Sequence, residues 1–242
     1  MKPLAVALVV VLAGCGSQFT RSELETYPQA YSLRNRAVVD EPESLFPSDI
    51  AVLNDSAIKR ILSYQVTLPH AGRLAVLQLS EPRVVEWWQD PEDFNRINQE
   101  LSDSMLVALR RSPRIGRAAV LPAMMVPRQR TIPFLREAAA RYQADLLLGY
   151  RTSCQLFRRS RFLKGSQYRT VCSVEAILLD TRSGIVPFTV VTTRSQIFEK
   201  EKEDFETREA IVKAQFQATQ DALGDVASQV GEYLASVPET EP

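Results

Sequence analysis

The chain predicts a mixed β-sheet covered by helices, an α/β (α+β) fold with the element order β-α-β-α-β-β-β-α. Three observations carry this expectation. Compact apolar runs alternate with helical periodicity up to about residue 150. Three extended segments then follow with no helix between them. A long helical stripe closes the chain from Phe205 onward. Alternation of strand and helix implies a parallel layer joined by crossovers, and the later hairpins extend that layer antiparallel.

Each element has its own signal. Asn54 is a candidate N-cap for a short helix to Tyr64, with Ala57, Ile58, Ile61 and Leu62 on one face. The run Arg73 to Leu79 (RLAVLQL) reads as a buried strand. Asp90-Pro91-Glu92-Asp93 starts a helix: a capping acid, a proline at the first helical position, then acids in the first turn. Its stripe is Phe94, Ile97, Leu101, Met105 and Leu109, and Pro113 stops it. Gly116 to Leu121 is a second strand. Pro133 opens a second helix, with Phe134, Leu135, Ala138, Ala139 and Tyr142 expected on its inner side. Extended segments are expected near 146–157, 167–179 and 185–197, the last two joined by the turn Asp180-Thr181-Arg182-Ser183-Gly184. In the final helix Val212, Phe216, Leu223, Val226, Val230 and Leu234 share one stripe, which runs to about Val237.

Composition narrows the function. Apolar residues make up 45% and charged residues 24%, as in globular proteins. The 29 basic residues cancel the 29 acidic ones, so no nucleic-acid partner is expected. The chain holds one histidine, His70, and no phosphate-binding glycine loop, dinucleotide fingerprint, zincin helix or nucleophile elbow. No catalytic residue, metal site or cofactor is therefore assigned, and the expected class is not an enzyme.

The amino terminus is the most informative segment. Lys2 precedes an uninterrupted apolar run, Leu4 to Leu12, too short to cross a bilayer. It reads as a signal peptide over residues 1–14. Leu12-Ala13-Gly14-Cys15 resembles the lipobox of bacterial lipoproteins. The resemblance implies acylation of Cys15, cleavage before it, and a membrane held through that lipid. Gly16, where aspartate would signal inner-membrane retention, favours the outer membrane with the domain facing the periplasm. Residues 15–47 then form the lipidated cysteine and a polar tether, whose Tyr27, Tyr31 and Phe46 are candidates to dock locally on the domain. Residues 48–67 are a helical extension and residues 68–237 the main domain.

Within that domain the strand RLAVLQL, the segment REAAARYQADLLLGY at 136–150 and ILLDTRSGIV at 177–186 resemble envelope lipoproteins with a TolB amino-terminal-like domain. Relatives of that group include the curli-secretion lipoprotein and lipoprotein activators of penicillin-binding proteins. Asp145, Asp180 and Gly184 match the shared pattern. The resemblance covers roughly residues 68–236 and speaks to fold more than to function.

With Cys15 taken up by lipid, Cys154 and Cys172 remain as an even pair. A symmetric hairpin centred on Leu163 sets them directly opposite, within disulfide range and in an oxidising compartment. A register slip of one residue would leave two buried thiols instead.

Two surfaces are candidates for binding a partner. One is the loop carrying Trp87 and Trp88, at the carboxyl end of the first parallel strand, where open α/β sheets place ligands. One of these rings packing beneath the loop is the competing reading. The other is the hairpin tip with Arg158, Arg159, Arg161, Phe162 and Lys164, whose cations suit an anionic partner. A merely solvated tip is its competitor. The expected function is a non-enzymatic domain that engages another envelope protein. Alternatives are a subunit of an export pore or secretion complex and, more weakly, a cell-wall hydrolase. The hairpin arms have the length of membrane-barrel strands but are already needed for the sheet.

Overall fold

The computed structural model describes residues 44–46, 53–79, 91–161, 164–199 and 207–240. Helix α1 spans Asp55–Leu62, and the Asn54 side chain caps it by accepting the Ala57 N–H at 2.8 Å. Then come β1 (Gly72–Gln78), α2 (Pro91–Leu109), β2 (Ile115–Val120), α3 (Ile132–Arg141), β3 (Leu146–Arg161), β4 (Lys164–Asp180), β5 (Phe188–Glu199) and α4 (Thr207–Ser236). A single 3-10 turn, Ala123–Met125, links β2 to α3.

The strands form one mixed sheet in the order β2-β1-β3-β4-β5. β1 is parallel to both neighbours, and β3-β4-β5 are antiparallel. β1 is an interior strand covered on both sides, which is why LAVL within it is buried on both faces. On one face α2 and α4 pack over Val76, Leu148, Val174 and Leu178. On the other, α3 packs over Ala75, Leu77, Leu147 and Leu179. The alternation of these residues along each strand is the period-two rule with both faces covered.

The element order matches the expectation, and three local details differ. Phe134 lies on the solvent side of α3 and is 44% exposed; the buried positions are Ile132, Leu135, Ala138 and Ala139. The buried face is centred between Leu135 and Ala139, and at 100° per residue Phe134 falls more than about 100° away from that centre. In the first half of α4 the innermost residues are Ile211, Ala214 and Ala218, while Val212 and Phe216 are half-buried. The small alanines let the helix approach the sheet closely enough for the Thr192 hydroxyl to donate to the Ala222 carbonyl at 3.0 Å. The third extended segment begins at Phe188, because Ile185 is used by the turn: its carbonyl accepts the Asp180 N–H at 2.9 Å.

Packing also reaches outside 68–237. Leu45 packs on the α3 side of the core, and its carbonyl accepts the Ile132 N–H at 2.7 Å. Phe46, one of the three residues expected to dock, is 63% exposed, and Tyr27 and Tyr31 lie outside the described residues. At the other end, Glu239 forms a parallel bridge with Leu68.

Candidate functional site

The paired acids of the sequence motif prove to be turn-builders. Asp180 is buried at the end of β4. Its carboxylate accepts the Ser183 N–H at 2.9 Å, the Ser183 hydroxyl, and the Tyr64 hydroxyl at 3.3 Å. Gly184 sits at φ +77, the left-handed region that favours glycine, and its N–H donates to the Asp180 carbonyl. The Arg136 guanidinium reaches across from α3 to the carbonyls of Thr181 and Arg182. Asp145 accepts the Arg73 N–H at 2.9 Å, which ties the start of β3 to β1. Every one of these contacts is internal, so the motif fixes a corner of the sheet and offers nothing to a substrate. The charge of Asp180 adds to burial, the larger cause, in raising the Tyr233 hydroxyl above its ordinary pKa.

A second polar cluster lies at the same end of the sheet, beside the start of β2. Arg114 is buried and donates to the carbonyls of Leu234 and Val237 and to Glu239 at 2.7 Å. A cation at a helix carboxyl end meets both the unpaired carbonyls and the dipole. Glu239 also pairs with His70 at 2.9 Å. That hydrogen bond, with the charges of His70 and Arg114 behind it, holds the Glu239 carboxyl below its usual range against the opposing effect of desolvation. The lone histidine is thus a partner in a terminal clamp.

Beyond these corners the sheet projects. β1 stops pairing with β3 at Gln78 opposite Tyr150. β3 continues to Arg161, paired only with β4 among the described strands. The projecting part of β3, β4 and β5 is backed on one face by α4. Two clasps hold that backing: the Arg194 guanidinium on Asp225 at 2.6 and 2.7 Å, and Gln196 on Asp221 at 3.2 Å. The other face carries Ser173 against Thr193, Arg151 against Glu175, and exposed Val191 and Ile197.

Cys154 stands opposite Cys172 in the β3–β4 register, and the two are joined by a disulfide with Cα atoms 4.1 Å apart. The bond lies on the α4 side, 3.6 Å from the Thr219 hydroxyl and 3.7 Å from the Gln215 carbonyl. It cross-links the projection four residues past Tyr150, where β3 has just lost its β1 neighbour.

The remaining expected site residues are placed only in part. Cys15, Trp87, Trp88 and Phe162 lie outside the described residues. Arg158, Arg159 and Arg161 fall on the last positions of β3 and Lys164 on the first of β4, so all four mark the far end of the hairpin; their side chains are not described. Among the described residues no group of three His, Cys, Asp or Glu side chains is placed to hold a metal.

Sequence reasoning missed the short apolar segment after β2. Met124 is 98% exposed, while Met125 and Val126, with Leu45, pack against the core cluster that holds Ile132. The signal available was Pro122 and Pro127 bracketing Ala-Met-Met-Val, a short apolar piece barred from continuing either strand or helix.

The geometry defines a mixed-sheet α+β domain with a cross-linked, projecting hairpin. No family model and no curated protein matches the chain. Similar solved structures include the PelC dodecamer from Paraburkholderia phytofirmans, at 14% identity and TM-score 0.35 over 74% of this chain and 96% of the other. They also include a minor lipoprotein from Acinetobacter baumannii, at 8% identity and TM-score 0.39 over 70% and 98%. A lipoprotein from Neisseria meningitidis matches at 15% identity and TM-score 0.31 over 67% and 98%. At these identities and scores the likeness assigns no function.

Proposed function

We propose that the chain is a bacterial envelope lipoprotein, anchored through acylated Cys15 in the outer membrane and facing the periplasm, whose domain binds another envelope protein without catalysing a reaction. The observation that carries this is the Cys154–Cys172 disulfide. A cross-linked pair of adjacent strands suits an oxidising, exported compartment, and the signal run with its Cys15 lipobox points to the same compartment independently. A TolB amino-terminal-like domain is the finer reading, and the Asp145, Asp180 and Gly184 corner is its basis.

The binding surface is the far end of the hairpin. Arg158, Arg159, Arg161 and Lys164 gather there, away from the β2–β1 part of the sheet, and suit an acidic patch on the partner. An export-pore subunit would need these strands free to enter a barrel, whereas α4 packs along β4 and β5. Two experiments test the proposal. Labelled palmitate should be incorporated into the chain and not into Cys15→Ser, which should leave the membrane fraction; retention of label in that variant overturns the anchor. A photo-crosslinker at Arg161 in intact envelopes should trap one defined protein, and the pair Arg158→Glu and Arg159→Glu should abolish the adduct. No adduct, or one indifferent to the charge reversal, overturns the hairpin as the binding surface.

A further inference from the structure

The two edges of the sheet are built differently. β2, at one edge, is 6 residues long. β5, at the other, is 12 residues long and follows β4 from Phe188 to Glu199 without a register shift. Every second residue of an edge strand turns its N–H and C=O away from the sheet. Proteins usually blunt such an edge with lysine, proline, a bulge or brevity. β5 has none of these: FTVVTTRSQIFE holds no lysine and no proline, and its one cation, Arg194, is drawn aside onto Asp225 of α4. The β-branched run Thr189 to Thr193 keeps it extended. Among the described strands β5 pairs only with β4.

A groove of about 480 Å³ lies between this edge strand and α4, lined by Arg194, Gln196, Gln220, Asp221, Gly224 and Asp225. Gly224 stands inside α4, where glycine weakens a helix. A Cβ added there would meet no atom within 4 Å, so no neighbour requires the glycine. What its missing side chain leaves is width in the groove. The groove charges are also unequal. Arg194 grips Asp225 through two hydrogen bonds, whereas Asp221 is met by the side-chain amides of Gln196 and Gln217. Two carboxylates to one guanidinium leave the groove net negative. On the opposite face of β5 the exposed side chains include Val191 and Ile197.

We infer that the β5 edge is a strand-acceptor site, which takes an extended segment of another protein as a sixth strand. Side chains of an added strand alternate between the two faces. Those on the α4 side enter the groove, where a lysine or arginine meets Asp221. Those on the other side pack beside Val191 and Ile197. The segment it fits therefore alternates basic with apolar residues. A second copy of this chain fits less well, because two β5 edges would bring two grooves of like charge together. The Cys154–Cys172 disulfide lies level with Arg194 in the register, so the platform is braced beside the groove. The site is separate from the far end of the hairpin and does not depend on the anchor at Cys15.

The test uses unacylated chain, residues 15–242 with Cys15→Ser, so that its result is independent of lipidation. The probes are three labelled peptides of the length of β5. One alternates lysine with valine, one alternates glutamate with valine, and the third is the lysine–valine peptide with its two central valines replaced by proline. Fluorescence anisotropy should show saturable binding of the first and none of the second. The third should bind at least about tenfold more weakly, since proline removes ladder donors. Bound lysine–valine peptide should slow hydrogen exchange across residues 188–199 and leave β2 unchanged. Asp221→Asn should weaken binding up to about fivefold, the worth of one exposed ion pair. Gly224→Leu fills the groove and should weaken binding at least about tenfold, with a melting temperature unchanged or raised because leucine is the better helix former. No saturable binding, equal binding of the lysine–valine and proline peptides, or affinity unaltered in either variant overturns the strand-acceptor site. Concentration-dependent protection of residues 188–199 in the free chain, with a dimer in sedimentation, makes a second copy the occupant and overturns it as well.

Discussion

The carbonyl of Leu45 accepts the N–H of Ile132, the first residue of α3, at 2.7 Å. Thr131, at the N-cap position, makes no capping bond, and its buried hydroxyl has no partner among the described residues. A backbone group from far upstream thus fills a role that a side chain usually takes. A chain shortened to begin at Ser44 should keep its melting temperature, whereas one beginning at Pro47 should lose the bond and the apolar contact of Leu45. That loss is about 1 to 2 kcal/mol, or roughly 2 to 8 °C for a domain of this size. Thermal denaturation of the two chains checks it, and equal midpoints would refute the role given to Leu45.

The disulfide should matter to the projection more than to the body of the sheet. Closing a loop of sequence separation 18 is worth about 3 kcal/mol in the chain-entropy account. Cys154→Ser with Cys172→Ser should lower the denaturation midpoint accordingly. Hydrogen exchange should quicken first in residues 151–175 and leave β1 protected. Uniform acceleration across all five strands would contradict a local role.

Arg114 should be among the costliest residues to change outside the apolar core. Arg114→Met removes a forked donor from the carbonyls of Leu234 and Val237. The expected loss is about 3 kcal/mol, because hydrogen bonds from charged donors are the strong ones and their acceptors stay buried. Arg114→Lys should recover little of it, since an ammonium cannot serve several acceptors in the plane of a fork. Urea unfolding of the three proteins decides the matter.

Glu239 gives that clamp a pH dependence with a definite sign. Its folded pKa lies below the ordinary 4.5, so the folded state holds the charged form more tightly than the unfolded state does. Its contribution is complete above about pH 4.5 and is lost as pH falls through the depressed folded value. Glu239→Gln should lower stability near neutrality and flatten the acid side, so that the two profiles converge as pH falls through the depressed folded value. An unaltered profile below pH 4.5 would remove Glu239 from the clamp.

Much of the fold is legible in the sequence because its signals are local. Asp180 to Gly184 encodes its own turn, Pro133 marks the start of α3, and hairpin symmetry about Leu163 places Cys154 opposite Cys172. What escapes is tertiary. Nothing near Arg114 says that a helix end will arrive to receive it, and nothing near Leu45 says that α3 lacks a side-chain cap. Of the residues expected inside α3, Leu135, Ala138 and Ala139 are buried, whereas Phe134 lies beyond the edge of that face.

The bridge between Leu68 and Glu239 brings together the two places where the chain joins the sheet domain. Both lie at the end where β1 begins, opposite the direction in which β3 runs on past Tyr150. Termini so close are the geometric requirement for circular permutation, so a few glycines joining Glu239 to Leu68 should be tolerated. A fluorescent protein fused after the last residue would likewise emerge at that end, clear of the hairpin, and would report the domain's position without obstructing the surface proposed to bind.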